Sequence, residues 1–280
     1  MKISTRLLIV LPCLTGLFSC ATNREKESET MRSTTEKTKG NTPMEEVSSG
    51  VCKWADLPVK LSPGRESRKI MEGTSPHFDY LEIHATTQEK GAIPSPPHAQ
   101  TDIEELIIVK EGLMKFTMDG EEAVLGPGSI ISIPPLAMQG LQNIGDGPLT
   151  YYVMMFRSKK PMDPERGKEA GGRMFIQADT LHFEQRKNGG RVNYFDRPTT
   201  MLEKFEMHMT QLDQKGPSHT PHTHVDSEMI LVIEGNTEMT IDGQKYQGGA
   251  GDLYFIKSNQ LHGIGNASDN PCKYFAIRWY

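Results

Sequence analysis

One stretch of this chain occurs twice, and a chain made of two like halves must fold as two like units. Subtracting residue numbers exposes the repeat. Trp54-Ala55-Asp56 aligns with Gln177-Ala178-Asp179 at a shift of 123, and Leu81-Glu82-Ile83-His84 with Phe205-Glu206-Met207-His208 at 124. His98 aligns with His222 at 124, while Glu105, Gly112, Gly128, Gln139 and Asn143 align with Glu228, Gly235, Gly251, His262 and Asn266 at 123. Tyr151-Tyr152-Val153 matches Tyr274-Phe275-Ala276 at 123 as well, so the one-residue slip falls between Gln100 and Glu105. The chain of 280 residues is long enough for two such domains, expected at 51–158 and 173–280. The segment 159–172, rich in charge, Pro and Gly, is expected to connect them.

Each copy reads as short strands joined by tight turns. Gly (26) and Pro (18) are frequent, and no long helical period stands out. Asp119-Gly120 and Asp242-Gly243 sit mid-repeat between alternating runs and predict hairpin turns. The fold class expected is all-β, with two tandem barrels.

The second copy carries a set of side chains suited to a metal. His222 and His224 are two apart, so on an extended segment both face one side. Glu228 opens the run Glu-Met-Ile-Leu-Val-Ile-Glu-Gly, which reads as a buried strand ending in a turn. His262 is distant in sequence and can join them only through folding. Imidazoles with a carboxylate suit zinc, copper, nickel, manganese or iron. Taken alone, His-Thr-Pro-His-Thr-His also fits a surface loop.

The order Gly216, His222, His224, Glu228, Gly235, and later Gly251, His262 and Asn266, resembles the two-part signature of the cupin superfamily. Lys257 and Asn259 replace its usual Pro and Gly. The resemblance implies small jelly-roll barrels (double-stranded β-helices), in tandem a bicupin, related by a pseudo-two-fold. It also implies one divalent transition metal on His222, His224, Glu228 and His262. The same positions in copy one read His98, Gln100, Glu105 and Gln139, a degenerate set, because neutral amides are poor ligands for transition metals.

Cupins host many chemistries, so the fold does not fix the reaction. The ligand set resembles that of quercetinase-like dioxygenases and of sugar-processing cupins. That resemblance implies dioxygenase or isomerase/hydrolase chemistry on a small oxygen-rich molecule, a sugar-derived acid or a phenolic. Glu228 is then a candidate catalytic proton shuttle. The run around Phe205–Met209 looks distantly like the ureidoglycine aminohydrolases, also bicupins; of their motif, E-x-H-x3-H with a later Gln, only His224 keeps its identity. A non-catalytic metal- or ligand-binding module is the alternative of a different class. Glu206 and His208 alternate on one strand face and recur as Glu82 and His84. They are expected either to support the metal and bind substrate or to form a solvent or interface pair. His219 is a rim or surface-loop residue. A homodimer is compatible with all of this.

The N-terminus reads as an address. Lys2 and Arg6 precede an apolar stretch, Leu7–Phe18, too short to span a bilayer, which takes about 20 residues. It ends in Leu17-Phe18-Ser19-Cys20, which resembles a bacterial lipobox and implies cleavage of residues 1–19 and lipidation of Cys20. Residues 20–50, poor in apolar side chains, are expected to be a disordered linker with a reach of roughly 30 Å. The expected location is therefore extracytoplasmic, anchored to a bacterial membrane. With Ala21 after the cysteine, that is the outer membrane if the cell is Gram-negative, with the body facing the periplasm or the surface. Losing the leader moves net charge from −5 to −7, and an acidic chain without a basic stripe is a poor nucleic-acid partner. Export also favours a disulfide between Cys52 and Cys272. If the two copies exchange opening strands, Cys52 would meet Cys272 as Phe175 meets Leu149.

Overall fold

The computed structural model describes residues 43–280; the leader at 1–19, Cys20 and most of the expected linker lie outside the described residues. The first half contributes β1 (Gly50–Cys52), β2 (Val59–Ser62), β3 (Arg65–Gly73), β4 (Phe78–Gln88), β5 (Glu104–Glu111), β6 (Met114–Met118), β7 (Glu121–Leu125), β8 (Ile130–Ile133), β9 (Gln139–Asn143) and β10 (Leu149–Ser158). After helix α1 (Pro164–Glu169), the second half contributes β11 (Met174–Ile176), β12 (Phe183–Arg186), β13 (Gly189–Arg197), β14 (Phe205–Leu212), β15 (Gly216–Pro217), β16 (Ser227–Glu234), β17 (Asn236–Ile241), β18 (Gln244–Gly249), β19 (Leu253–Ile256), β20 (His262–Asn266) and β21 (Cys272–Trp279). Among the described residues no helix is long and apolar enough to cross a membrane.

Each half is a barrel of a seven-stranded sheet facing a smaller one. The large sheets run β11-β8-β5-β10-β4-β3-β2 and β1-β19-β16-β21-β14-β13-β12, the same order in both halves. The small sheets are β7-β6-β9 and β15-β20-β17-β18. The opening strands are exchanged: β1 pairs with β19 of the second barrel, and β11 with β8 of the first. This reciprocal exchange is the pattern of a pseudo-two-fold axis.

The continuous apolar run of β16 is explained by burial on both faces. Met229 and Leu231 join a core shared by the two large sheets, while Ile230 and Val232 join a separate core inside the second barrel. With a side-chain period of two, Glu228 falls on the barrel-interior face with Ile230. The same parity holds on β14, where Phe205 and Met207 enter the shared core. Aromatic pairs carry that core from one barrel to the other: Phe78 stacks on Trp279 at 5.4 Å, and Phe156 meets Phe205 edge-on at 5.6 Å.

The turns follow local chemistry. Asp119 and Asp242 take φ of 50° and 46°, each followed by a positive-φ glycine, as a two-residue hairpin of type I′ requires. Gly112 and Gly235 also sit at positive φ, and a Cβ there would overlap Pro148 O and Pro271 O respectively. Both positions therefore exclude any other residue.

Two sequence-based expectations change, and a third gains detail. Cys52 and Cys272 are free thiols, not a disulfide. The strand exchange is present, but the incoming strand docks beside β19 rather than β21. Cys52 is thus three strand spacings from Cys272, about 14 Å before any offset along the strands, beyond the roughly 7 Å that a disulfide spans. The two also face different cores. Phe175 and Leu149 are separated by the same three steps. Residues 43–50, expected within the disordered linker, are ordered: Val47 and Thr74 pair through the backbone, and Glu46 reaches Lys257 at 3.4 Å. The connecting segment 159–172 contains α1, whose Asp163 caps Arg166 N at 3.0 Å ahead of Pro164.

Candidate metal centre

His222 and His262 face each other on an isolated antiparallel bridge, with mutual N–H···O contacts of 2.9 and 3.0 Å. His224 follows two residues later, and its carbonyl accepts from Asn259 N at 2.8 Å. Asn259 has φ of 64°, so it keeps the left-handed turn for which the motif ordinarily uses Gly. Glu228 enters from β16. One ligand atom from each of His222, His224 and His262 lies within 4.8 Å of the others.

The hydrogen bonds fix which nitrogens are free. His262 Nδ1 lies 2.8 Å from Gln260 O, and His224 Nδ1 lies 3.0 Å from Asp226 O. A carbonyl can only accept, so both Nδ1 atoms carry the proton and a neutral ring presents a bare lone pair at Nε2. Those Nε2 atoms point at Glu228 Oε2, at 2.9 Å from His262 and 3.3 Å from His224. Lone pairs facing a carboxylate need a cation between them: protons or a metal. His222 adds a buried Nδ1 with no hydrogen-bond partner. The donor set of three imidazoles and one carboxylate fits a divalent transition metal.

Electrostatics are consistent with that fit. Burial pushes the Glu228 carboxyl up, but hydrogen bonds from His224 and His262 outweigh it and hold its pKa at about 2. Burial, together with the nearby His219, His262 and His224, lowers His222 and keeps it neutral. Burial alone would lower His262 too, but its bond to Glu228 leaves it raised.

Glu206 and His208 turn inward. His208 lines the same cavity as His222 and Glu228. Glu206, 5% exposed, holds Arg191 Nη2 at 3.0 Å and Arg278, with His208 Nδ1 at 3.3 Å and Lys204 at 3.6 Å. The bond to His208, with Arg278 beside it, holds the Glu206 carboxyl far below the usual carboxylate range despite burial. Arg278 lies in register between Glu206 on β14 and Glu228 on β16. His219, at the rim, stacks edge-on to His222 at 4.6 Å. The cavity holds about 740 Å³ and is also lined by Arg186, Lys187, Arg191 and Arg278, residues that the sequence reading did not single out. The available signal was the repeat itself, because these basic positions have no basic counterpart in copy one.

In the first barrel, His98 and Gln139 form the matching bridge, and Gln139 Nε2 donates to Glu105 Oε1 at 2.8 Å. An amide N–H thus satisfies the carboxylate that imidazoles face in the second barrel. Burial raises the Glu105 carboxyl, against hydrogen bonds from Gln139 and Gln100. The cavity there is about 180 Å³.

The cupin domain family matches this chain twice, at 85–155 and 208–278, half of its residues. Several solved structures share the whole architecture. The protein Ylba from E. coli superposes with a TM-score of 0.62 at 15% identity, covering 86% of this chain and 95% of that one. Oxalate decarboxylase from Lactobacillus farciminis, in a formate complex, gives 0.64 at 13%, covering 83% and 86%. Oxalate decarboxylase from Bacillus subtilis, described with Mn(II) centres, gives 0.59 at 15%, covering 82% and 77%. At these identities the likeness speaks to the fold.

Proposed function

The chain belongs to the cupin family, with two tandem cupin domains, and on that premise we propose that it is a metal-dependent enzyme acting on a small oxygen-rich molecule. The observation that carries the reading is the convergence of His224 Nε2 and His262 Nε2 on Glu228 Oε2, with each ring's Nδ1 held by a carbonyl. His222, His224, Glu228 and His262 would hold one divalent metal (manganese, iron, nickel, zinc or copper). Manganese is named for the Bacillus subtilis neighbour. Bound there, the metal would supply a Lewis acid with positions open to substrate.

The chain's own groups divide the rest. Asp226 and Gln260 carbonyls fix the His224 and His262 rings. Glu228, ionised across the physiological range, faces both imidazoles through Oε2 and can take a substrate proton at Oε1. Ile230 and Ile264 form an apolar wall that limits water at the reacting atoms. Glu206 keeps Arg191 and Arg278 oriented at the cavity.

The full chain loaded with Mn(II) should turn over at least one member of a panel of sugar-derived acids and phenolics, followed by oxygen uptake and ultraviolet absorbance. Glu228→Gln should lower the rate by about a hundredfold or more. Binding without turnover across the panel would favour a non-catalytic module instead.

We further place the protein outside the cytoplasm, lipid-anchored through Cys20 to a bacterial membrane, the outer one in a Gram-negative cell. The motif Leu17-Phe18-Ser19-Cys20 supports this. The wild-type protein should sediment with membranes in its host, and Cys20→Ala should move it to the soluble fraction. An unchanged distribution would contradict the anchor.

A further inference from the structure

The two barrels share one strand order, so each position lining the second cavity has a counterpart in the first. Gly189 pairs with Leu212 as Arg65 pairs with Gln88, which sets the offset along β3/β13 and β4/β14 at 124. At that offset Arg186, Lys187 and Arg191 correspond to Ser62, Pro63 and Ser67. Arg278 corresponds to Met155, since Glu228 pairs with Arg278 as Glu105 pairs with Met155. Four basic residues line the cavity that includes His222 and Glu228; no lysine or arginine lines the pocket around His98 and Glu105, although Lys60 and Lys69 line a neighbouring one that shares His84. The positions of Arg186, Lys187, Arg191 and Arg278 are basic only in the copy that keeps all four ligands; the other keeps His98 and Glu105 alone of that set.

These charges are only partly cancelled within the protein. Glu206 stands opposite both Arg191 and Arg278, leaving one positive charge over from that group. Arg186 is matched by Glu184 at 3.1 Å, and among the ion pairs of the described residues Lys187 has none. A divalent metal set against the single carboxylate Glu228 would add a further net positive charge. A cavity of about 740 Å³ is in the size range that encloses a small organic molecule. Between the cations its wall carries Thr210, Gln211 and Ser218, hydroxyl and amide groups suited to a hydroxylated partner.

We propose that the second cavity takes a hydroxylated organic acid of the sugar-acid class, its carboxylate held by the cations facing the cavity, and that the Arg186-Lys187 turn between β12 and β13 selects for that charge at the mouth. The proposal rests on the metal reading above and narrows it, separating acids from neutral phenolics. An anion gains from guanidinium and ammonium groups inside a concave, partly apolar site, where charge–charge interactions are less screened than in bulk water. A neutral ring would leave those cations without a counter-charge.

The test is calorimetric titration of the full Mn(II)-loaded chain with galacturonate, glucuronate, galactose and catechol, at low and high salt. At least one uronate should bind about tenfold or more tighter than galactose, and raising the salt should weaken it. The double variant Arg186→Gln/Lys187→Gln is at the surface, leaves the ligand set intact and should retain its metal content. It should lose about tenfold in uronate affinity and flatten the salt dependence, with galactose unaffected. Equal binding of galactose and the uronates, no uptake of either uronate, preference for catechol, or unchanged uronate affinity in the double variant overturns the assignment. The metal reading fails separately. If a His222→Ala/His224→Ala chain holds the same metal content as the wild type, that reading falls while the uronate preference can still stand.

Discussion

A chain carrying Gln100→His and Gln139→His is expected to bind a second divalent metal. The first barrel already has His98 and Glu105 in place, on the backbone bridge that matches His222 and His262. Gln139 Nε2 donates to Glu105 Oε1 where His262 Nε2 faces Glu228 Oε2, so the amide occupies the space of the missing imidazole. Restoring two imidazoles converts one ligand pair into the full set of the second barrel. Groups that merely orient metal ligands change affinity by roughly 10–100-fold, so two ligands should gain more than about a hundredfold. Equilibrium dialysis against Mn(II) or Zn(II) should rise from one to two equivalents per chain. A variant that folds and stays at one equivalent would show that the first barrel differs by more than its ligands.

The second large effect concerns stability. Glu104 on β5 is 1% exposed and accepts Met201 N at 3.0 Å, from the segment leading into β14. Arg166 on α1 braces the same segment through Thr199 O and Thr200 O. Burial pushes the Glu104 carboxyl from 4.5 up to about 7, against the Met201 and Thr199 hydrogen bonds. The folded state therefore holds this proton more tightly than the unfolded state. Its contribution is fully present below pH 4.5 and is lost as pH rises to 7, by about 3 kcal/mol in all. Glu104→Gln keeps an acceptor for Met201 but cannot ionise. Its stability advantage over the wild type should grow from pH 5 to pH 8, in chemical denaturation, toward that value. A difference independent of pH would contradict the assignment.

The two-barrel plan was legible because the repeat preserves spacing across many positions, from Trp54/Gln177 to Tyr151/Tyr274. The hairpins were legible because Asp-Gly is a strictly local signal; both aspartates take positive φ. His222, His224, Glu228 and His262 stood out because three of them fall within seven residues and the resemblance to the cupin signature supplied the fourth. What remained hidden depends on strand order. Cys52 lands beside Leu253 because β1 joins the sheet at β19, a choice that no residue of β1 announces. Arg278 reaches the cavity because β21 lies between β14 and β16 with its even-numbered side chains inward. Arg186, Lys187 and Arg191 could have been found by subtraction, by asking which positions are basic in one copy and neutral in the other. The Asp163-Pro164 start of α1 was a local signal overlooked within a charged segment.

The central claim is that the second barrel, and only the second, is a metal centre. Elemental analysis of the purified full chain tests it most directly, since His222, His224, Glu228 and His262 form one set of four good ligands. The account predicts about one divalent transition metal per chain, and none in a folded His222→Ala/His224→Ala chain. Two equivalents in the wild type, or metal retained in that double variant, would contradict it.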